Sequence, residues 1–257
     1  MRKTSTFIAI GMVALTAISC TNHYVLAGIE RTRIVVDSRY DAQPDAEAVN
    51  FLAPYKQKVD SIMGPVVGSV AHDMAAKRPE SDLSNLLPDI LMWAAKDYNE
   101  KPDFGVYNVG GIRAALSKGN VTFGDVLDVA PFENKICFLT LKGEKVLELF
   151  SQIAMRGGEG VSHGVELVIT PQGKLLSARL NGQEVNPQRN YRVTTIDYLA
   201  QGNDQLAAFK AHTNLNSPQE DSNNTRYIIA NYFKVMQQQG KMVDSKVEGR
   251  IKVMSEK

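Results

Sequence analysis

The sequence is short of the groups from which catalytic centres are usually built. Of its 257 residues two are cysteine, Cys20 and Cys137, and four are histidine. His23, His72, His163 and His212 fall in no HxH, HExxH or DxH pattern, so no metal ligand set at defined spacing is legible and no metal is assigned to this chain. No GxSxG elbow marks a serine nucleophile, although a triad dispersed along the chain stays open. There is no GxxxxGKS or GxxxxGKT phosphate loop either. Charge of one sign does not prevail: the formal net charge is +1 and the charged residues are interspersed. That excludes the clustered basic surface which nucleic-acid binding requires. No internal repeat and no low-complexity tract interrupts the chain.

Long apolar runs are also few. Phe7–Ile18 is apolar but too short to span a bilayer, and Arg2 and Lys3 precede it, which is the layout of a signal peptide. It ends Ala17-Ile18-Ser19-Cys20, which resembles a bacterial lipobox whose cysteine is acylated. The alternative is a cleaved signal peptide with an incidental cysteine. The expected organisation is a signal peptide over 1–19, a tether over 20–30 and one domain over 31–257. The expected location is the bacterial cell envelope, exported and lipid-anchored, in the periplasm or on the surface. Cys137, inside the apolar run Ile136–Leu139, reads as a buried and inert thiol. With Cys20 acylated, no disulfide is expected.

What the chain does have is alternating periodicity. Arg31–Asp37 reads as a first strand, and Val49, Leu52, Tyr55, Val59 and Ile62 stand at helical spacing after Pro44-Asp45. Val66–Ala71 reads as a strand. Ser81 is an N-cap for an amphipathic run from Leu83 to Tyr98, with Pro88 arguing for a later helix start. Strands are expected over Phe104–Tyr107, Ile136–Leu141, Val165–Thr170, Leu175–Leu180, Tyr191–Ile196 and Glu248–Met254, with helices over Gly143–Met155 and Arg226–Gln239. Asn216–Thr225 reads as a polar loop. Helices and strands alternate irregularly, with hairpins in the second half. The fold class is α+β, a single domain with a mixed sheet and packed helices.

Two stretches stand out. Asn108–Asn134, NVGGIRAALSKGNVTFGDVLDVAPFEN, holds a glycine pair, Arg113 and a Pro-Phe corner. Tyr198–Asp204, YLAQGND, follows a strand. Together with RPESDLSNLLPD (Arg78–Asp89) and NGQEVNPQRNYRV (Asn181–Val193), they resemble the C-terminal, substrate-binding domain of the 5′-nucleotidase family, over roughly residues 60 to 210.

The resemblance implies a pocket for a nucleoside 5′-monophosphate or nucleoside. Phe132 and Tyr198 would sandwich the base, and base–aromatic stacking contributes about 1–3 kcal/mol per base whatever the base. Asp204 would take the ribose hydroxyls, Asn134 would assist there, and Asn108 would meet base or sugar. Arg113, read as opening a helix just after two glycines, suits the phosphate, with Arg78 as a second arginine. Each assignment has a plainer alternative. Phe132 and Tyr198 can be core, Asp204 a turn cap, and Arg113 a surface partner of Asp125 or Asp128. The chain departs from the family in Gly202-Asn203-Asp204, where Gly-Gly-Asp is usual, and in Tyr198, where phenylalanine is common. Asparagine tolerates a positive φ better than most residues, so the turn is expected to survive.

Full-length family members also carry an upstream metallophosphatase domain with DxH, GDxxD, GNHD and GHxH motifs that bind two metal ions. DxH, GNHD and GHxH do not occur in this sequence, GDxxD is matched only by Gly124–Asp128 inside the stretch that resembles the C-terminal domain, and the residues before position 60 are too few for the upstream domain. The expectation is therefore a chain with no catalytic residue and no cofactor of its own, and with divalent metals on a partner. It would position substrate for a separate metallophosphatase protein, in nucleotide catabolism. Alternatively, it is a non-catalytic envelope protein that binds nucleosides or nucleotides.

Overall fold

The computed structural model describes residues 26–255. The expected signal peptide, the expected lipidation site Cys20 and His23 lie outside the described residues. The chain divides into two compact units, Met1–Phe51 and Leu52–Lys257. In the first, the described residues are exposed throughout. Arg31–Asp37 forms no strand there, because a lone extended segment without a neighbour leaves its backbone groups unpaired. A 3₁₀ turn at Ser38–Tyr40 follows, held by the side chain of Asp37, and a helix starts at Ala46.

Among the described residues there are six α-helices and eleven strands. In chain order they are α1 (Ala46–Met63), β1 (Val66–Val70), α2 (Asp82–Ala94), β2 (Phe104–Tyr107), β3 (Gly119–Thr122), α3 (Phe123–Val129), β4 (Ile136–Lys142), α4 (Gly143–Met155), β5 (Gly160–Val161), β6 (Val165–Ile169), β7 (Leu175–Leu180), β8 (Gln183–Glu184), β9 (Asn190–Ile196), α5 (Asp197–Ala200), β10 (Thr213–Asn216), α6 (Thr225–Gln238) and β11 (Ile251–Val253). The α+β class holds, with the strands shared among three sheets ordered β1-β3, β10-β4-β9-β2-β5 and β11-β6-β7-β8. The two larger sheets are mixed: β2 runs parallel to β9, β11 parallel to β6, and their other pairs are antiparallel.

Pro88 does not delay α2, which begins at Asp82. Ser81 and Ser84 form a reciprocal capping box, and Leu83, Leu86, Leu87, Ile90 and Leu91 are buried. Capping and burial of this extent outweigh the roughly 3 kcal/mol that an interior proline costs a helix. The polar stretch Asn216–Thr225 begins at the last residue of β10, which pairs with β4, and holds a 3₁₀ turn at Asp221–Asn223, and the final strand shortens to three residues.

The five-stranded sheet is covered on both faces. Phe104 and Phe150 are fully buried, with ring centroids 5.3 Å apart, so α4 lies on the face to which Phe104 points. Gly105 points the other way, and a Cβ there would stand 3.0 Å from Pro88 O on α2. Glycine lets that helix approach the strand. Cys137, wholly buried on β4, has its thiol pushed up to about 12 by burial, which keeps it inert.

The register of this sheet brings distant segments to one end. β2 and β9 are parallel, so the residues that follow each emerge together. β4 is antiparallel to β9 with Ile136 opposite Ile196, so the residues preceding β4 arrive at the same end. β5 is antiparallel to β2 with Tyr107 opposite Gly160, which adds the residues preceding β5. Four segments thus converge: Asn108–Gly111, Phe132–Asn134, Arg156–Glu159 and Tyr198–Asp204.

Away from that end, His72 joins the loop after β1 to the chain near Ser245. Its Nδ1 faces Asp73 O at 2.8 Å and its Nε2 faces Ser245 O at 3.0 Å. Only an imidazolium donates to two carbonyls at once. Those backbone bonds, Asp73 first, hold the His72 pKa above its ordinary value, with Asp82 at 3.9 Å and Asp244 at 3.3 Å adding attraction. A raised folded pKa gives stability that is complete below the unfolded value and lost as pH rises through the folded one. Denaturation midpoints of the wild type and His72→Gln should therefore differ most near pH 5.5 and converge above neutrality. A difference that grows with pH would contradict this reading.

Candidate functional site

The converging segments enclose a cavity of about 250 Å³ lined by Asn108, Gly110, Gly111, Phe132, Asn134, Arg156, Tyr198 and Asp204. A larger cleft of about 510 Å³ lies beside Trp93 and Tyr98, but none of these segments reaches it. Five residues expected from the sequence line the smaller cavity, namely Asn108, Phe132, Asn134, Tyr198 and Asp204.

Phe132 is 47% exposed and Tyr198 37% exposed, so neither ring is core. Both are held by their backbones. The corner that carries Phe132 is fixed by the start of α6, where Thr225 N–H donates to Asn134 O at 2.9 Å and Arg226 Nη2 donates to Pro131 O at 2.9 Å. Asp197 links the two walls, because its Oδ1 accepts from the N–H of Lys135 at 3.1 Å and of Tyr198 at 2.8 Å.

Asp204 is the polar centre. Tyr198 Oη donates to its Oδ1 at 3.0 Å, and Asn108 Nδ2 donates to its Oδ2 at 2.7 Å. The bond to Asp204 holds the Tyr198 phenol above its ordinary pKa, with burial adding to it. A carboxylate has about four lone-pair positions, so Asp204 keeps acceptor capacity for a ligand. The turn before it survives without a second glycine. Gly202 and Asp204 take positive φ at 78° and 54°, while Asn203 does not. Asn203 contributes instead through its side chain, donating from Nδ2 to Tyr198 O at 2.8 Å.

Asn108 is 4% exposed, and its Oδ1 is buried with no partner among the described residues. A Cβ on Gly111 would stand 2.6 Å from that oxygen, so Gly111 leaves room for the Asn108 side chain. Only a 3₁₀ turn, Val109–Gly111, occupies this position.

The two arginines read from the sequence do not line the cavity. No helix opens at Arg113, and its exposed side chain reaches only Gly110 O, at 3.3 Å. Asp125 is spent on capping α3 through Thr122, so it is not the partner of Arg113. Arg78 donates from Nε to Gly158 O at 2.8 Å and pairs with Glu159, whose side chain is entirely buried. Arg156 takes the place in the cavity wall. It caps the end of α4, its Nε donates to Glu159 Oε1, and its Nη2 stands 3.6 Å from Asp204 Oδ2. Glu159 Oε2 accepts the Val109 N–H at 2.6 Å, which ties the arginine pair to the glycine turn. The signal for Arg156 was a cation at a helix C-terminus, two glycines before a glutamate.

Comparison with known proteins adds a family. The family model described as "5'-nucleotidase, C-terminal domain" matches residues 66–211. The chain is 31% identical over 199 residues to the endonuclease YhcR of Bacillus subtilis, covering 75% of this chain and 16% of that protein. It is 25% identical over 189 residues to the 5'-nucleotidase of Vibrio vulnificus, covering 70% and 33% respectively. The crystal structure of the 5'-nucleotidase precursor from Thermus thermophilus superposes with a TM-score of 0.69 at 25% identity, over 84% of this chain and 45% of that one. The chain thus spans less than half the length of these relatives.

Proposed function

We propose, from the premise that the chain belongs to the 5′-nucleotidase C-terminal domain family, that its pocket recognises a nucleoside 5′-monophosphate or nucleoside. In this reading the chain positions that ligand for a phosphohydrolase in nucleotide catabolism, whose catalytic metals sit on a separate metallophosphatase protein. The observation that carries the reading is the meeting of two exposed rings, Phe132 and Tyr198, on one cavity with Asp204. Exposed aromatic faces beside a carboxylate suit a flat base joined to a hydroxyl-bearing sugar.

The family implies two metal ions, and the residues present do not fit them. The cavity holds one carboxylate, Asp204, which already accepts from Tyr198 and Asn108 and faces Arg156. Among the described residues no group of three or more His, Cys, Asp or Glu is arranged to hold a metal ion. No step through a metal is therefore derived for this chain. Its own residues bind and orient, and fixing a reactant beside a catalytic centre lowers a barrier by up to roughly 7–11 kcal/mol. The proposal includes export and acylation at Cys20, which the motif Ala17–Cys20 supports.

Purified protein is expected to bind AMP but to hydrolyse none of it with added divalent metal, and turnover should begin when the metallophosphatase partner is mixed in. Turnover by the chain alone, abolished by EDTA, would refute the division of labour. Binding that no partner converts into turnover would turn the assignment to a non-catalytic binding protein.

A further inference from the structure

Arg156 lines the cavity, and the proposed function leaves it without a task. Its setting is rigid. It follows the last residue of α4, its Nε is held by Glu159, and the Glu159 side chain is fully buried and bonded on its other oxygen to the Val109 N–H. Among the described residues neither of its Nη groups makes a hydrogen bond, and Nη2 lies 3.6 Å from Asp204. A guanidinium carries five N–H donors and no acceptor. With Nε taken, the remaining donors are available to the cavity.

Two rings that stack on the faces of a base select nothing, since every base has a π-face. Selection has to come from groups at the edge. The charge around Arg156 also bears on what it meets. Arg78 and Arg156 are matched by Glu159 and Asp204, so the cluster is formally neutral and lacks the surplus positive charge that would hold a phosphate. It suits a neutral group with two adjacent acceptors.

We infer that Arg156 is a specificity-determining residue that selects a 6-oxopurine, guanine or hypoxanthine, through the O6 and N7 acceptors on one edge of the ring. The inference rests on the nucleotide reading of the pocket and names the base which that reading leaves open. A forked guanidinium matches O6 and N7 together. Adenine offers an acceptor beside an amino donor, so one N–H would face another. Uracil has no adjacent acceptor pair, and cytosine has one only at O2 and N3, beside the glycosidic bond rather than on the far edge, so cytidine should bind no more tightly than adenosine. Lysine is no substitute, because an ammonium is a point charge without the fork.

The test is calorimetric titration of the full chain with guanosine, inosine, adenosine and cytidine, and with GMP and AMP, in the wild type, Arg156→Gln and Arg156→Lys. Guanosine and inosine should bind roughly 5- to 150-fold more tightly than adenosine. Both variants should bring that ratio close to one. Arg156→Lys retains a cation for Glu159, so it keeps the test valid should Arg156→Gln fail to fold. Equal affinity of the wild type for guanosine and adenosine would overturn the inference and leave the pocket reading standing. So would a loss in the variants that falls equally on GMP and AMP and spares the nucleosides, which would assign Arg156 to phosphate. Failure of the wild type to bind any nucleoside or nucleotide would refute the pocket reading itself and the inference with it.

Discussion

Replacing Phe132 and Tyr198 together by alanine should abolish measurable nucleoside binding while leaving the fold intact. Each stacked ring contributes about 1–3 kcal/mol, so removing both weakens binding by about 2–6 kcal/mol, or roughly thirty-fold to four orders of magnitude. The expected effect on stability is small. Both rings are more than a third exposed, so their removal opens no core cavity, and surface substitutions usually stay within about 0.5 kcal/mol. Tyr198→Phe is the informative control. It keeps the stacking face and removes only the bond from Tyr198 Oη to Asp204, so it should bind far better than Tyr198→Ala. A double variant that binds within three-fold of wild type would rule out stacking as the basis of recognition.

The second large effect concerns stability. Phe150→Ala removes a fully buried ring from the contact between α4 and β2, the two elements whose C-terminal ends carry Arg156 and Asn108. Deleting a core phenylalanine costs about 3–5 kcal/mol, the cavity left behind included, and the lost ring pair with Phe104 accounts for roughly 0.5–1.5 kcal/mol beyond area alone. At about 2–4 °C per kcal/mol for a unit of this size, the thermal midpoint should fall by roughly 6–20 °C. Circular dichroism melts of wild type and variant check this. A fall of less than about 3 °C would mean that the contact between α4 and β2 is not where the stability of the larger unit lies.

Much of this protein was legible in its residues because the signals were local. The apolar spacing of Val146, Phe150 and Ile153 defines α4, the Asn181-Gly182 pair turns β7 into β8, and the run from Phe104 to Tyr107 is buried on both faces. Local signals misled where a partner decides the outcome. Arg31–Asp37 has the composition of a strand but nothing to pair with, and Pro88 is carried inside α2 because its neighbours are buried.

The same division runs through the site. The ordered motifs by themselves determined the family and five of the cavity-lining residues, since NVGGIR, the Pro-Phe corner and YLAQGND are each legible as short local patterns, although the Pro-Phe corner is held in place by the distant start of α6. The arginine that reaches the cavity was decided by tertiary structure alone. Arg113 follows the glycine pair in sequence yet points away, whereas Arg156 is brought in because β5 pairs with β2 and buries Glu159 beneath the turn. A buried carboxylate has to find cations, and which cations it finds depends on strand register, which no local pattern encodes.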